Sequence, residues 1–284
     1  MNKDCTFFLS TYDGGEDLWE GFFKALSVQW PEMDMKIVMN TETKTYSYPG
    51  FTIESFQPSL HKSMPWGERL IDSLKHVETD YVLFFLEDFW LDKRVDDVFF
   101  RKTLLWMKEN PDVANFSYYP CLPGLNKQDF RFERFELRPQ NCEYKLNCQA
   151  GLWRTKELMS FIRPHESPWD FEVLGSIRAG KFNQKFYSLK WNAPLVFSYG
   201  DNLTGCVVRR GRWVKDTVIP LAEMYGLDID YSKRGFEDFS DFFIEPHHPS
   251  LWERITMGHY FSRLISRIKL TYHDWYVRRL SLNK

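Results

Sequence analysis

The stretch TDYVLFFLEDFWL, residues 79–91, decides the fold. From Tyr81 to Leu86 it is a continuous apolar run, and it stops abruptly at Glu87-Asp88. A run without polar alternation is what a strand buried on both faces of a parallel sheet requires. Two adjacent acids directly behind it would be costly to bury unpaired. In open α/β sheets, ligands bind beyond the carboxyl ends of the strands. Glu87 and Asp88 are therefore the first candidates for a site, holding a cation, a sugar hydroxyl or a basic side chain. The plainer reading is a solvated turn in which Asp caps the next segment.

Upstream of this run, strand and helix signals alternate. Thr6 to Ser10 is short and β-prone and stops at the loop signal Thr11-Tyr12-Asp13-Gly14-Gly15. Leu18, Trp19, Phe22, Phe23 and Leu26 then recur at helical spacing up to Pro31. Lys36 to Met39 and Phe51 to Phe56 read as strands, and Trp66 to Val77 as a helix. This alternation predicts an α/β layered fold. Downstream, Val98 to Glu109, Thr155 to Ile162 and Phe171 to Ala179 read as helices, and Asn115 to Tyr119 and Phe130 to Leu137 as strands. No internal repeat and no low-complexity linker is visible. The simplest division is a catalytic-size domain over residues 1–249 and a C-terminal segment over 250–284.

That segment carries a net charge of +5 from Ile255 to Lys284, in a chain of 284 residues whose formal charge is −2. Phe261, Leu264, Ile265, Ile268, Tyr272, Trp275 and Tyr276 fall at helical spacing, with Arg263, Arg267 and Arg278 able to share the opposite face. A basic amphipathic helix of this kind suits the surface of an anionic membrane, and equally suits packing on its own domain. The near-neutral balance excludes a strongly basic nucleic-acid binder, and 43% hydrophobic residues exclude a disordered chain. No export signal and no membrane span is legible, so a cytoplasmic location is expected, with five scattered cysteines read as reduced thiols and a zinc site at Cys142 and Cys148 disfavoured. Eighteen per cent aromatic residues suit stacking on sugar faces as well as aromatic core packing.

Further candidates sit at the other strand ends: Thr11 and Asp13 after the first, Asn40 to Glu42 after the second. Arg209-Arg210-Gly211-Arg212-Trp213 offers guanidinium forks of the kind that suit diphosphate oxygens, or a solvated basic turn. The stretch HESPWDFE supplies Glu166, Asp170 and Glu172 with Trp169 between them. Two residues apart on a helix, Asp170 and Glu172 face different ways, so at most one enters a site. Either acid could instead cap the helix and favour its dipole. His247 and His248, beside prolines, read as loop residues or a late metal ligand. No G-x-S-x-G, H-E-x-x-H, Walker-type or G-x-G-x-x-G motif occurs, which disfavours hydrolase, zincin, P-loop and dinucleotide readings.

TDYVLFFLEDFWL resembles the segment of GT-A-fold glycosyltransferases, especially family 2, that leads into the acidic diphosphate-holding motif. Asn147-Cys-Gln-Ala-Gly-Leu-Trp153, followed by Glu166-Ser-Pro-Trp-Asp-Phe-Glu172, resembles a bacterial group that builds surface polysaccharide and lipopolysaccharide. The resemblance implies a GT-A-like, Rossmann-type mixed sheet flanked by helices, and a hexosyltransferase moving a sugar from a nucleotide-diphosphate sugar to a glycan or glycolipid hydroxyl with inversion. It implies donor contacts from Thr11, Asp13, Asn40, Arg69, Glu87, Asp88, Arg210 and Arg212, acceptor stacking by Trp153 and Trp169, and a base at Glu172, or else Asp170. The family's D-x-D is replaced by Glu87-Asp88-Phe89, so a divalent Mn²⁺ or Mg²⁺ on Asp88 is an open expectation. A non-catalytic glycan- or nucleotide-binding module and a nucleotidyltransferase are the alternative functions.

Overall fold

The computed structural model describes residues 2–56, 64–120, 126–199 and 205–237. The expected C-terminal amphipathic helix, the 250–284 segment, His247, His248 and Cys121 lie outside them.

The architecture is a mixed α/β sheet flanked by helices, as the sequence predicts. Strands β1 (Asn2–Ser10), β2 (Met35–Met39), β3 (Ile53–Ser55) and β4 (Tyr81–Leu86) are mutually parallel in the order β3-β2-β1-β4. They alternate with helices α1 (Glu16–Gln29) and α2 (Trp66–Lys75), while α3 (Asp97–Glu109) leads into β5 (Val113–Pro120). The sheet continues through β8 (Gly151–Arg154), β5, β9 (Lys185–Leu189), β7 (Phe135–Leu137) and β6 (Lys127–Gln128). β8 is antiparallel to both β4 and β5, and β9 returns parallel to β5.

Side-chain alternation sorts the strands between two cores. Cys5, Phe7 and Leu9 of β1 and Leu83 and Phe85 of β4 face the core that contains α1 and α3. Phe8, Val82 and Phe84 face the other, with Leu70 and Leu74 of α2 and Leu158 and Phe161 of α4 (Thr155–Phe161). β4 runs between β1 and β8 and is buried almost throughout, which explains its unbroken apolar sequence.

Some expectations need correction. Phe130 to Leu137 is not one strand: β6 and β7 are joined by a turn in which Arg134 has φ of 62°, so pairing is confined to the two ends. The helix expected at Phe171 to Ala179 starts earlier and is composite. A turn α5 (Pro168–Asp170) passes through a π-helical turn, Phe171–Gly175, into α6 (Ser176–Ala179). Five further elements carry no clear sequence signal: β8, β9, the hairpin strands β10 (Val208–Arg209) and β11 (Arg212–Trp213), and α7 (Lys215–Tyr225), whose pattern is masked by Pro220.

α2 meets the chain after α4 backbone to backbone. The Gly67 N–H donates to the Glu166 carbonyl at 3.0 Å, and a Cβ on Gly67 would stand 2.0 Å from the Arg163 carbonyl oxygen. Gly67→Ala should therefore destabilise the fold by about 1–3 kcal/mol, the range for overpacking. Urea denaturation checks this, and an unchanged midpoint would show that the loop can retreat without cost.

Candidate functional site

The carboxyl ends of β1, β2, β4 and β5 share one sheet edge, and the antiparallel course of β8 brings residues 147–150 to that edge as well. Most of the residues singled out in the sequence gather here, in two groups.

The first group lies beyond β1 and β2 and is bonded mostly within itself. The Thr11 N–H donates to Asn40 Oδ1 at 2.7 Å, and the Trp19 indole donates to Thr11 Oγ1 at 2.8 Å. Asp13 exchanges bonds with the loop after β2: its N–H donates to Glu42, and its carboxylate accepts from the amides of Glu42, Thr43 and Lys44 and from the Thr43 hydroxyl. Burial alone would raise the Asp13 carboxyl, but these donors outweigh it and hold the group below its usual range. Arg69 of α2 makes a buried ion pair with Glu42 at 2.6 Å. Thr11, Asp13, Asn40 and Arg69 therefore fix the two strand-end loops to each other. The amide nitrogen of Asn40 and Nε of Arg69 are left buried without a hydrogen-bond partner. Glu42, one of the strand-end residues, emerges as the hub of this group.

The second group surrounds the acids after β4. The Glu87 carboxylate lies against the glycine turn, where a Cβ on Gly15 would stand 2.8 Å from Glu87 Oε1. Burial pushes Glu87 up, the neighbouring Asp88 adds to this, and Arg234 and Arg69 oppose it. Burial also raises Asp88, against Arg234. Asp88 Oδ1 is buried and has no hydrogen-bond partner, while the Asp88 carbonyl accepts from Val207 N–H at 2.9 Å. Burial raises the Cys148 thiol, and the charges of Glu172 and Asp88 add to the rise. Tyr199 stacks on Phe89 at 4.5 Å and donates to Gln149 at 3.1 Å, next to the acids.

The residues of HESPWDFE separate clearly. Glu166 is held by Arg178 through two bonds of 2.5 and 2.6 Å and is fully occupied in that buried ion pair. Asp170 completes a capping box with Ser167. Glu172, in the π-helical turn, instead turns inward and accepts from the Cys148 N–H at 2.8 Å. Burial raises its carboxyl, and that hydrogen bond partly offsets the rise. Trp153 is buried against Phe186 in the second core and presents no face to a sugar, whereas Trp169 is 72% exposed.

Arg210 and Arg212 stand exposed at a two-residue hairpin tip, with φ of 50° and 79° at Arg210 and Gly211. The guanidinium whose charge bears on both acids is that of Arg234, which no motif marks and which is bonded to Asp17 and Gly14.

A single buried carboxylate oxygen with no partner fits a divalent ion of the magnesium type, which takes one or two carboxylates and completes its shell with phosphate oxygens and water. No three His, Cys, Asp or Glu side chains gather into a protein cage among the described residues. A groove of about 470 Å³ lined by Pro111, Asp112 and residues 181–184 opens before β5 and β9, at the opposite edge of the sheet from the acids.

No protein-family model and no curated protein matches the chain. Solved structures similar to it include residues 1–349 of S. aureus TarS, 14% identical with a TM-score of 0.42 over 66% of this chain and 60% of that one. The chain thus spans about three fifths of that structure's length. The galactosyltransferase LgtC with donor and acceptor sugar analogs is 13% identical with a TM-score of 0.36, over 55% of this chain and 59% of that one. CMP:2-keto-3-deoxy-manno-octonic acid synthetase with CTP is 14% identical with a TM-score of 0.37, over 68% and 93%.

The buried Arg69–Glu42 pair gives a test of the first group. Arg69→Met leaves Glu42 buried and uncompensated and should cost about 3–5 kcal/mol in chemical denaturation, and adding Glu42→Leu should recover much of the loss. Equal stability of wild type and Arg69→Met would show that the pair does not hold the loops.

Proposed function

We propose that this chain transfers a sugar from a nucleotide-diphosphate sugar to a hydroxyl of a glycan or glycolipid acceptor, with inversion at the anomeric carbon. The observation that carries this reading is two carboxylates on one sheet edge: Asp88, at the end of β4, with a buried oxygen that has no partner, and Glu172, bonded to the Cys148 amide that the antiparallel β8 brings to the same edge. One carboxylate for the leaving group and another for the acceptor are what an inverting displacement needs.

In this reading Asp88 works at the diphosphate. A divalent ion there would neutralise negative charge on the departing nucleotide, and Asp88 Oδ1 would hold it. Stabilising that charge in a site closed to water is the largest contribution expected. Glu172 accepts the proton of the attacking hydroxyl, and the Cys148 amide fixes which oxygen of the carboxylate is free to do so. Trp169 offers an exposed ring for the acceptor. The loops fixed by Asp13 and Glu42 form the wall against which the nucleotide lies. Their bonding to each other gives some support to a second reading, a nucleotide- or glycan-binding module without transfer.

The deciding experiment is a melting screen with UDP, GDP, CDP, TDP and ADP, each with and without Mn²⁺, followed by transfer and donor-hydrolysis assays on whichever nucleotide stabilises the protein. Stabilisation by one nucleotide with turnover supports the transferase, stabilisation without turnover supports a nucleotide-binding module, and no stabilisation removes the transferase and leaves only a glycan-binding module. Asp88→Ala should lower kcat by about 100-fold or more while the protein stays folded. Near-normal turnover would take Asp88 out of the mechanism.

The pH dependence follows from Glu172. A base acts in its charged form, and burial raises this carboxyl above the usual glutamate value of about 4.3. Activity should therefore fall as pH drops through a point above that value. Glu172→Gln should lose about 100-fold or more in kcat together with that acid limb. If the limb stays in the variant, another group is the base.

A further inference from the structure

The diphosphate of a donor would bring several negative charges to a strand end that already holds two buried acids, so the position of the nearest fixed cation matters. The basic cluster that suggests itself in sequence does not supply it, because Arg210 and Arg212 stand exposed at a hairpin tip. Arg234 arrives from the far end of the described chain. Its Nε and Nη2 form a fork on the Asp17 carboxylate at 2.7 and 2.5 Å, and Nη2 also donates to the Gly14 carbonyl at 2.8 Å. The next residue of that turn, Gly15, is the one against which Glu87 Oε1 rests.

From the other side, backbone bonds run from Trp213 to Gly235, from Val214 to Val207 and from Val207 to Asp88, each 2.8 or 2.9 Å. The guanidinium also stands 5.7 Å from the centre of the Trp213 ring. Arg234 is thus braced by the hairpin behind it and faces the turn that touches the acids. Its field opposes the burial of both Glu87 and Asp88.

We propose that Arg234 is the chain's own cation for the donor diphosphate, held at the mouth of the acid pair by its clasp on Asp17 and Gly14; this rests on the transferase reading above. Asp17 positions the fork and partly neutralises it, so the two residues have opposite effects on an anion although they share one ion pair.

That opposition separates an electrostatic role from a purely structural one. In the full chain, binding of inorganic pyrophosphate and of the stabilising nucleoside diphosphate is measured by titration calorimetry, with and without Mg²⁺, on wild type, Arg234→Met, Arg234→Gln and Asp17→Asn. Both Arg234 variants should weaken binding about tenfold, as expected for loss of a charged hydrogen bond. Asp17→Asn should keep or improve the affinity, since it removes a nearby negative charge. Arg234→Gln can still donate to the Gly14 carbonyl, so it decides the point if Arg234→Met fails to fold. The inference is overturned if Asp17→Asn weakens binding as much as the Arg234 variants do, or if all variants bind like wild type. Those outcomes leave the transferase reading standing. Failure of the wild type itself to bind any diphosphate would remove the reading and the inference together.

Discussion

The site depends on one strand that runs against its neighbours. β8 inserts antiparallel between β4 and β5, pairing Phe84 with Gly151 and Ser117 with Gly151. Were that strand parallel, its beginning would lie at the opposite edge of the sheet, and the Cys148 amide would be far from the acids that end β4. Because it runs backwards, the loop that enters it is delivered to the carboxyl edge, and the Glu172 carboxylate is drawn there through a single backbone hydrogen bond. The edge can therefore combine residues from both halves of the described chain without a long connecting loop.

Burial is what gives the acids their chemical interest and also what makes them expensive. Glu87 and Asp88 follow a strand whose residues are almost wholly enclosed, so their charges have little water to stabilise them. The protein meets part of that cost with guanidinium groups at a distance. It does not do so with a direct ion pair of the kind that holds Glu166 or Glu42. Glu42 and Glu166 are paired at close range, whereas Asp88, like Asp92, keeps a buried oxygen without a partner.

Much of the first half of this fold is legible in sequence because its strands and helices follow simple periodicities. Tyr81–Leu86 is read to the residue, and β1, β2, α1, α2 and α3 within a few. The second half is harder for physical reasons. β8 is four residues long and enclosed by neighbours on both sides, so it shows no alternation. Pro220 interrupts the pattern of α7, and β10 and β11 have two residues each. Of the site, the strand-end acids follow from topology alone. Spacing alone cannot tell Glu172 from Asp170, since a capping box and an inward-facing carboxylate use the same residue types. Trp153 looks equally ready for a sugar or a core until its neighbours are known. Arg234 is invisible, because its partner Asp17 lies 217 residues away.

The π-helical turn at Phe171–Gly175 also bears on how this region tolerates change in length. Such a turn holds one residue more than the regular helix on either side of it. Removing any one residue there would let the segment relax into ordinary α-helix, which is locally more comfortable. A π-helical turn and an α-helical turn sweep nearly the same angle, so the flanking turns α5 and α6 would keep their faces. What the deletion would change is the bulge itself, which carries Glu172 toward the Cys148 amide. The extra residue thus serves the placing of one carboxylate rather than the course of the helix on either side.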